Sequence, residues 1–489
     1  MALSIIDFTV CVGIFMAAYS WMRHKPSKLE LPLPPGPSRW PFIGSLLSLP
    51  RAEPNWKVFL RWGKQNGSDI VYVPIAGDNL IILNSHEAAV ELLERRSASY
   101  SDRPRLMMAG ELVGWNQTLG LTRYGNKVRR TRRLLHDAMS LKAMHAWQPL
   151  QEQEAQKFIH RLLHTPQDLV AHIRQTAGAS VVKLTYGYTV SNNSNEYLKI
   201  AERAMDSFSV LTTPGAFMVD FFPWLQYVPW APFKKTVTQA QGCLLDMVDV
   251  PMAYVREQMD HGQGVHSLMS KWLEESSSEK DHEEIVKWAA GSLYAAGADT
   301  TVSAICTFFV AMIYNPSVQR KAQEEISQVL HDRLPTLTDR GQLPYVEAIY
   351  KEVLRWQALA PLGLPHAYMG EKDDEYKGMR IPTGSIIMPN VWAMLRDPLK
   401  YDDPDQFKPE RFLGPLPEPN SEDIAFGFGR RRCPGIHVAQ SSIWLSIALT
   451  LAAYNIAAAV NREGNEVLPS LDYSNQTVRR GFQEQYQRT

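Results

Sequence analysis

From Leu3 to Met22 the chain reads LSIIDFTVCVGIFMAAYSWM, an apolar run broken by one charge, Asp7. A helix of that length crosses a hydrocarbon core of about 30 Å. Arg23, His24, Lys25 and Lys28 follow at once, and no positive charge precedes the run. That asymmetry predicts a transmembrane anchor over 3–22 with the rest of the chain on the cytoplasmic side. A cleavable signal peptide, the competing reading, carries its positive charge ahead of the apolar stretch. Leu31 to Pro37, LPLPPGP, resists helix and predicts a semi-rigid spacer, so 23–37 reads as a basic and proline-rich linker.

Beyond the linker, helical spacing of apolar positions recurs over Ser85–Arg95, Lys127–Met139, Gln151–Leu163, Ser194–Val210 and Glu283–Tyr314. It returns over Pro316–Leu330, Tyr345–Gln357 and His437–Ala453. Strand-like runs are fewer and shorter: Ile70–Ile75, Leu80–Leu83, Tyr376–Ile381 and Ser385–Met388. The pattern predicts a mainly α fold with a minor β region. No second linker or repeat appears, so 38–489 reads as one large domain.

Composition changes this picture little. The 489 residues balance 51 Lys and Arg against 51 Asp and Glu, so no basic excess points to nucleic acid. Four cysteines over this length exclude a disulfide framework and favour a reducing compartment.

One of them carries the most chemistry. Cys433 lies in FGFGRRRCPG, Phe426 to Gly435, beside Arg430, Arg431 and Arg432. Glycines let backbone amides approach a ligand. The cations and the N-terminus of the following apolar helix favour a thiolate. An inert buried cysteine and a basic surface loop are the plainer alternatives. A zinc site through Cys433 and His437 lacks a second ligand pair, and Arg432 breaks a GxGxxG dinucleotide pattern.

Phe426, Gly429, Arg431, Cys433 and Gly435 match F-x-x-G-x-R-x-C-x-G, and on these positions the chain resembles the cytochromes P-450. The resemblance implies a P-450 fold, haem b as cofactor and Cys433 as the axial thiolate on its iron, with Arg431 on a haem propionate. Such a ligand favours O–O cleavage. AGADTT, Ala296 to Thr301, is similar to the family's oxygen-activation motif. By that match Gly297 makes room for dioxygen, while Asp299 and Thr300 relay protons. Read alone, Thr300 merely bonds back to a carbonyl one turn earlier. Glu352 and Arg355, with Arg411 in FKPERF, resemble the family's structural E-x-x-R and its partner arginine.

In YGNKVRRTRRLLH the family's W-x-x-x-R pattern keeps Arg132, but Val128 stands in the tryptophan position, which removes one indole donor to a propionate. Arg129, Arg130 and Arg133 read equally as a solvated face or as a docking surface for an acidic reductase. His366, in PLGLPH, resembles a propionate-binding residue. A looser likeness, through Pro214–Phe233, PLGLPH and CPGIHVAQS, is to fungal secondary-metabolism members of the O-methylsterigmatocystin oxidoreductase and tryptamine 4-monooxygenase kind. The aromatic density of Pro214–Phe233 suits a surface dipping into lipid; a core helix pair is the rival.

The resemblance implies a monomeric monooxygenase of the endoplasmic reticulum membrane. It would take electrons from a separate NADPH-cytochrome P-450 reductase, because no flavin module fits in the chain. Its expected substrate is a lipophilic small molecule, with pocket walls from Arg103–Leu121, Phe208–Phe222, Tyr294–Ala298, Leu359–Leu364 and the tail Ser474–Arg480. A haem-thiolate isomerase or dehydratase is the nearest alternative, and Asp299 with Thr300 argues against it. A non-catalytic membrane-tethered haem- or lipophile-binding protein is the other.

Overall fold

Two continuous apolar runs, Ile70–Val73 and Leu80–Leu83, are buried throughout and build a small sheet. The computed structural model describes residues 31–471, apart from 42, 51–52, 76, 191–195, 214, 263–265, 276–280 and 462. The expected anchor, the first part of the linker and the tail at 474–480 lie outside the described residues. The chain forms two compact units.

The first unit gathers residues up to Pro104 with Pro361–Met394 and Phe428–Arg431. After helix α1 (Asn55–Gln65), strands β1 (Ile70–Ile75) and β2 (Asp78–Leu83) pair antiparallel. Strand β3 (His366–Ala367), the hairpin β4 (Asp374–Tyr376)–β5 (Met379–Ile381) and β6 (Ile386–Pro389) follow. The main sheet runs β1-β2-β6-β3, with β2 and β6 parallel. Val71, Val73, Leu80 and Ile82 pack against Phe59 of α1. The run expected over Tyr376–Ile381 is not one strand. Lys377 and Gly378 both take positive φ (49° and 75°) and turn the chain back as a two-residue hairpin.

The second unit is helical: α2 (Asn126–Met139), α3 (Gln148–His164), α4 (Leu169–Tyr186), α5 (Glu196–Leu211), α6 (Phe233–Asp260), α7 (Leu268–Glu274), α8 (His282–Tyr314), α9 (Pro316–Leu330), α10 (Pro344–Trp356) and α11 (Ile436–Ala453). Helix α8 is the axis. It is apolar on every side, as a helix buried on most of its circumference must be. Two glycines let neighbours close on it: a Cβ at Gly291 would overlap Val248 of α6, and one at Gly297 would overlap Val181 of α4. Helices α8 and α11 are long and apolar enough to cross a membrane, but both are largely buried within the protein and read as core helices.

Candidate haem-thiolate site

The Cys433 loop is shaped by its backbone. Gly429 takes φ +52°, and a Cβ there would overlap the Leu93 carbonyl, so only glycine fits. The N–H of Cys433 donates to the Phe426 carbonyl at 2.9 Å, closing the loop just before α11 begins at Ile436. The thiol accepts the Gly435 N–H, with the Arg132 and Arg432 charges nearby. Sequence alone predicts that such cations favour the thiolate. In the structure burial outweighs them and pushes the Cys433 thiol up. A metal ion in the proton's place is what keeps such a sulfur ionised.

Each unit holds buried or half-buried guanidinium groups of its own. In the second, Arg132 donates to the Arg432 carbonyl at 3.0 Å. Burial holds its pKa below the ordinary range, only partly offset by Cys433 and Tyr124. A half-buried cation in that condition suits an added carboxylate. Arg432 pairs with Asp423 at 3.1 Å. In the first unit, Arg431 is buried and donates from Nε to the Ser101 carbonyl at 2.7 Å. His366 is also buried, and its Nδ1–H donates to the Tyr100 carbonyl at 2.8 Å. Burial first, then the charges of Arg103 and Arg431, push its pKa down to about 3. His366 is therefore neutral with its proton on Nδ1, so Nε2 offers a lone pair rather than a donor. Donation from Nε2 to a propionate would require the carboxylate to draw a second proton onto the ring. Arg103, which the sequence marked only as the start of a pocket wall, is buried and donates to the Leu364 and Pro365 carbonyls.

Val128 is fully buried on α2. The packing has therefore closed around valine, and restoring the family's tryptophan is overpacking. Val128→Trp is expected to cost about 1–3 kcal/mol, read as a lower midpoint in denaturant unfolding. An unchanged midpoint would mean that room for an indole had been kept. On the same helix Arg130 leaves the expected basic patch, pairing with Asp281 at 2.7 Å, while Arg129 and Arg133 stay exposed.

AGADTT lies on α8, and at Gly297 a Cβ would overlap Val181. Asp299 and Thr300 face different ways. Asp299 is buried and lines a cavity of about 160 Å³ with Arg174 and Gln175 of α4, Lys199 and Glu202 of α5, and Tyr294. Thr300 is partly exposed beside the exposed Ala296, whose carbonyl accepts its hydroxyl at 2.8 Å. Sequence neighbours on a helix point about 100° apart, so a DT pair cannot share one direction.

Glu352, Arg355 and Arg411 meet as one fully desolvated cluster in the second unit. Both Glu352 oxygens take Arg355 at 2.7 Å, and Oε1 also takes Arg411 at 3.2 Å and the Lys408 N–H at 2.8 Å. Arg355 goes on to the carbonyls of Leu395, Pro404 and Gln406. The aromatic segment after residue 214 is not a core helix pair. It forms two short turns, Met218–Phe221 and Pro223–Tyr227, and leaves Trp224, Tyr227 and Trp230 at least half exposed. Asp220, in the first of them, is partly buried and accepts the Met108 N–H at 2.8 Å, and Trp115 packs on Phe208 with ring centres 4.6 Å apart.

A cysteine sulfur held by a backbone N–H, with guanidinium groups suited to carboxylates, is the donor set of a haem-thiolate protein. Comparison agrees: residues 34–471 match the family described as Cytochrome P-450. The chain is 43% identical over 457 residues to cytochrome P-450 monooxygenase 208 of Postia placenta, covering 91% of this chain and 88% of that one. It is 42% identical over 458 residues to monooxygenase claR of Ampulloclitocybe clavipes (91% and 84%), and 37% over 491 residues to ple1 of Rhodocybe pseudopiperita (98% and 92%). The chain belongs to the cytochrome P-450 family; it is an oxidoreductase whose cofactor is haem b.

Proposed function

We propose that the protein is a membrane-anchored haem-thiolate monooxygenase that hydroxylates a lipophilic small molecule in fungal secondary metabolism. The observation that carries the reading is the Cys433 loop, in which Gly435 and the bond to Phe426 hold one sulfur at the start of α11. Cys433 would hold the haem iron, and Arg132, Arg431 and His366 would hold the propionates, with Arg103 added to them. Bound haem supplies the iron on which dioxygen is activated with two electrons and two protons.

The chain's own residues do the rest. Thr300 Oγ1, already donating to Ala296, keeps lone pairs to accept and pass a proton at the open face of α8. Asp299, on the side of the α4–α5 cavity, is the acid of the relay in which Thr300 is the alcohol. The apolar side chains along Met107–Leu121 and around Phe208 exclude water and orient an apolar substrate. Residues 3–22 anchor the monomer in the endoplasmic reticulum membrane, with the exposed Trp224, Tyr227 and Trp230 at the lipid interface. Electrons arrive from NADPH-cytochrome P-450 reductase, which meets the exposed Arg129 and Arg133.

Reduction with dithionite under carbon monoxide tests this reading. A strongly red-shifted Soret band is the expected result. An ordinary carbonyl band would mean a protonated or displaced Cys433, and folded protein without haem would return the chain to the binding-protein alternative.

A further inference from the structure

We propose that His160 and His164 form a two-point clamp for a divalent transition-metal ion on the outer face of α3. The helix buries Gln151, Glu154, Ala155, Phe158, Ile159 and Leu162, and both histidines stand exposed on its other side. Residues four apart on a helix lie one above the other, and here the two rings converge. Their centres are 4.5 Å apart, and Nε2 of one lies 3.3 Å from Nε2 of the other. Two imidazole lone pairs do not face each other at that distance unless something positive sits between them. Without metal this is a shared proton, one Nε2–H donating to the other nitrogen.

A metal ion is the alternative tenant, and the spacing suits it. Two nitrogens bound tetrahedrally at about 2.0–2.1 Å from zinc are separated by about 3.3–3.4 Å. The two nitrogens therefore already stand at the separation that the ion requires. The neighbouring cations are engaged elsewhere: Arg161 donates to Thr176 Oγ1 of α4 at 2.6 Å, and Lys157 pairs with Glu154 at 2.6 Å. His164 is the last residue of α3, where the helix carbonyls favour positive charge. Imidazole donors select zinc, copper or nickel over magnesium and calcium, which prefer oxygen. Solvent completes the coordination.

The test uses the untagged, haem-loaded, full-length protein, stripped of loose metal with a chelator and titrated with Zn²⁺ calorimetrically. His160→Ala and His164→Ala should each weaken binding by about tenfold or more, as the loss of a metal-site interaction does at least. The double variant should be no worse than either single one, because the clamp needs both rings. The carbon monoxide spectrum of each variant reports that it is folded. In the wild-type protein, Zn²⁺ should protect both histidines from diethyl pyrocarbonate, mapped by mass spectrometry. Single variants that bind Zn²⁺ like wild type, labelling of the two rings that Zn²⁺ does not reduce, or equal binding of Mg²⁺ would each overturn the clamp.

Discussion

Glu352→Gln is expected to remove a large part of the protein's stability. The carboxylate is fully buried and is shared by two guanidiniums, Arg355 and Arg411, which are themselves inaccessible. The amide keeps the shape but loses the charge, and turns an N–H donor toward cations that offer only donors. Breaking a buried ion pair by removing one partner costs about 3–5 kcal/mol, since the other charge stays behind undischarged. Native domains are stable by only about 5–15 kcal/mol, so the loss is about a fifth of the whole or more. Arg355 also ties α10 to the carbonyls of Leu395, Pro404 and Gln406, so the damage spreads into the segment that leads to the Cys433 loop. Denaturant unfolding followed by circular dichroism reads the effect, with haem content as the second readout. A midpoint within error of wild type would show that Arg411, through Glu418 at 2.6 Å, holds the cluster without Glu352.

What the sequence discloses and what it hides follow physical lines. The strand over Ile70–Ile75 and the long helix ending at Tyr314 are legible from composition and length, a short β-branched run and a long apolar one. Helix α6 is harder to read. Its buried positions, Ala240, Leu244, Met247, Val248, Pro251 and Val255, keep helical spacing, but Pro251 inside it is a breaker by local rules. Tertiary packing overrides that cost. Helix α4 is buried on nearly every side, so it has no polar face to set a period, and Thr176 and Ser180 spend their hydroxyls on carbonyls one turn back.

The site divides in the same way. Cys433, Arg431 and the Glu352 cluster are fixed by strict spacing and are found from it. Side-chain direction is not. Nothing in AGADTT tells that Gly297 answers to Val181, or that Asp299 and Thr300 look apart. His366 owes its neutral state to burial and then to the charges of Arg103 and Arg431, both remote from it in the chain, and no local pattern reveals such partners.

Thr300→Ala is expected to separate oxygen consumption from product. The side chain is partly exposed and sits at the end of an i to i−4 bond, so its removal leaves no buried polar group behind and opens no core cavity. Haem content and the carbon monoxide band should therefore match wild type. What is lost is the hydroxyl that holds a proton at the open face of α8. Asp299 is buried and lines the α4–α5 cavity with Arg174, Lys199 and Glu202, so it does not stand at that face. A positioned proton donor contributes about 10²–10⁴-fold, and an enzyme deprived of one releases oxygen as peroxide instead of inserting it. Product formed per NADPH should fall by about tenfold or more, with hydrogen peroxide rising to match. Thr300→Ser, which keeps the hydroxyl, should restore most of the coupling. If Thr300→Ala turns over with unchanged coupling, the proton comes by another route, and the bond to Ala296 is all that Thr300 does.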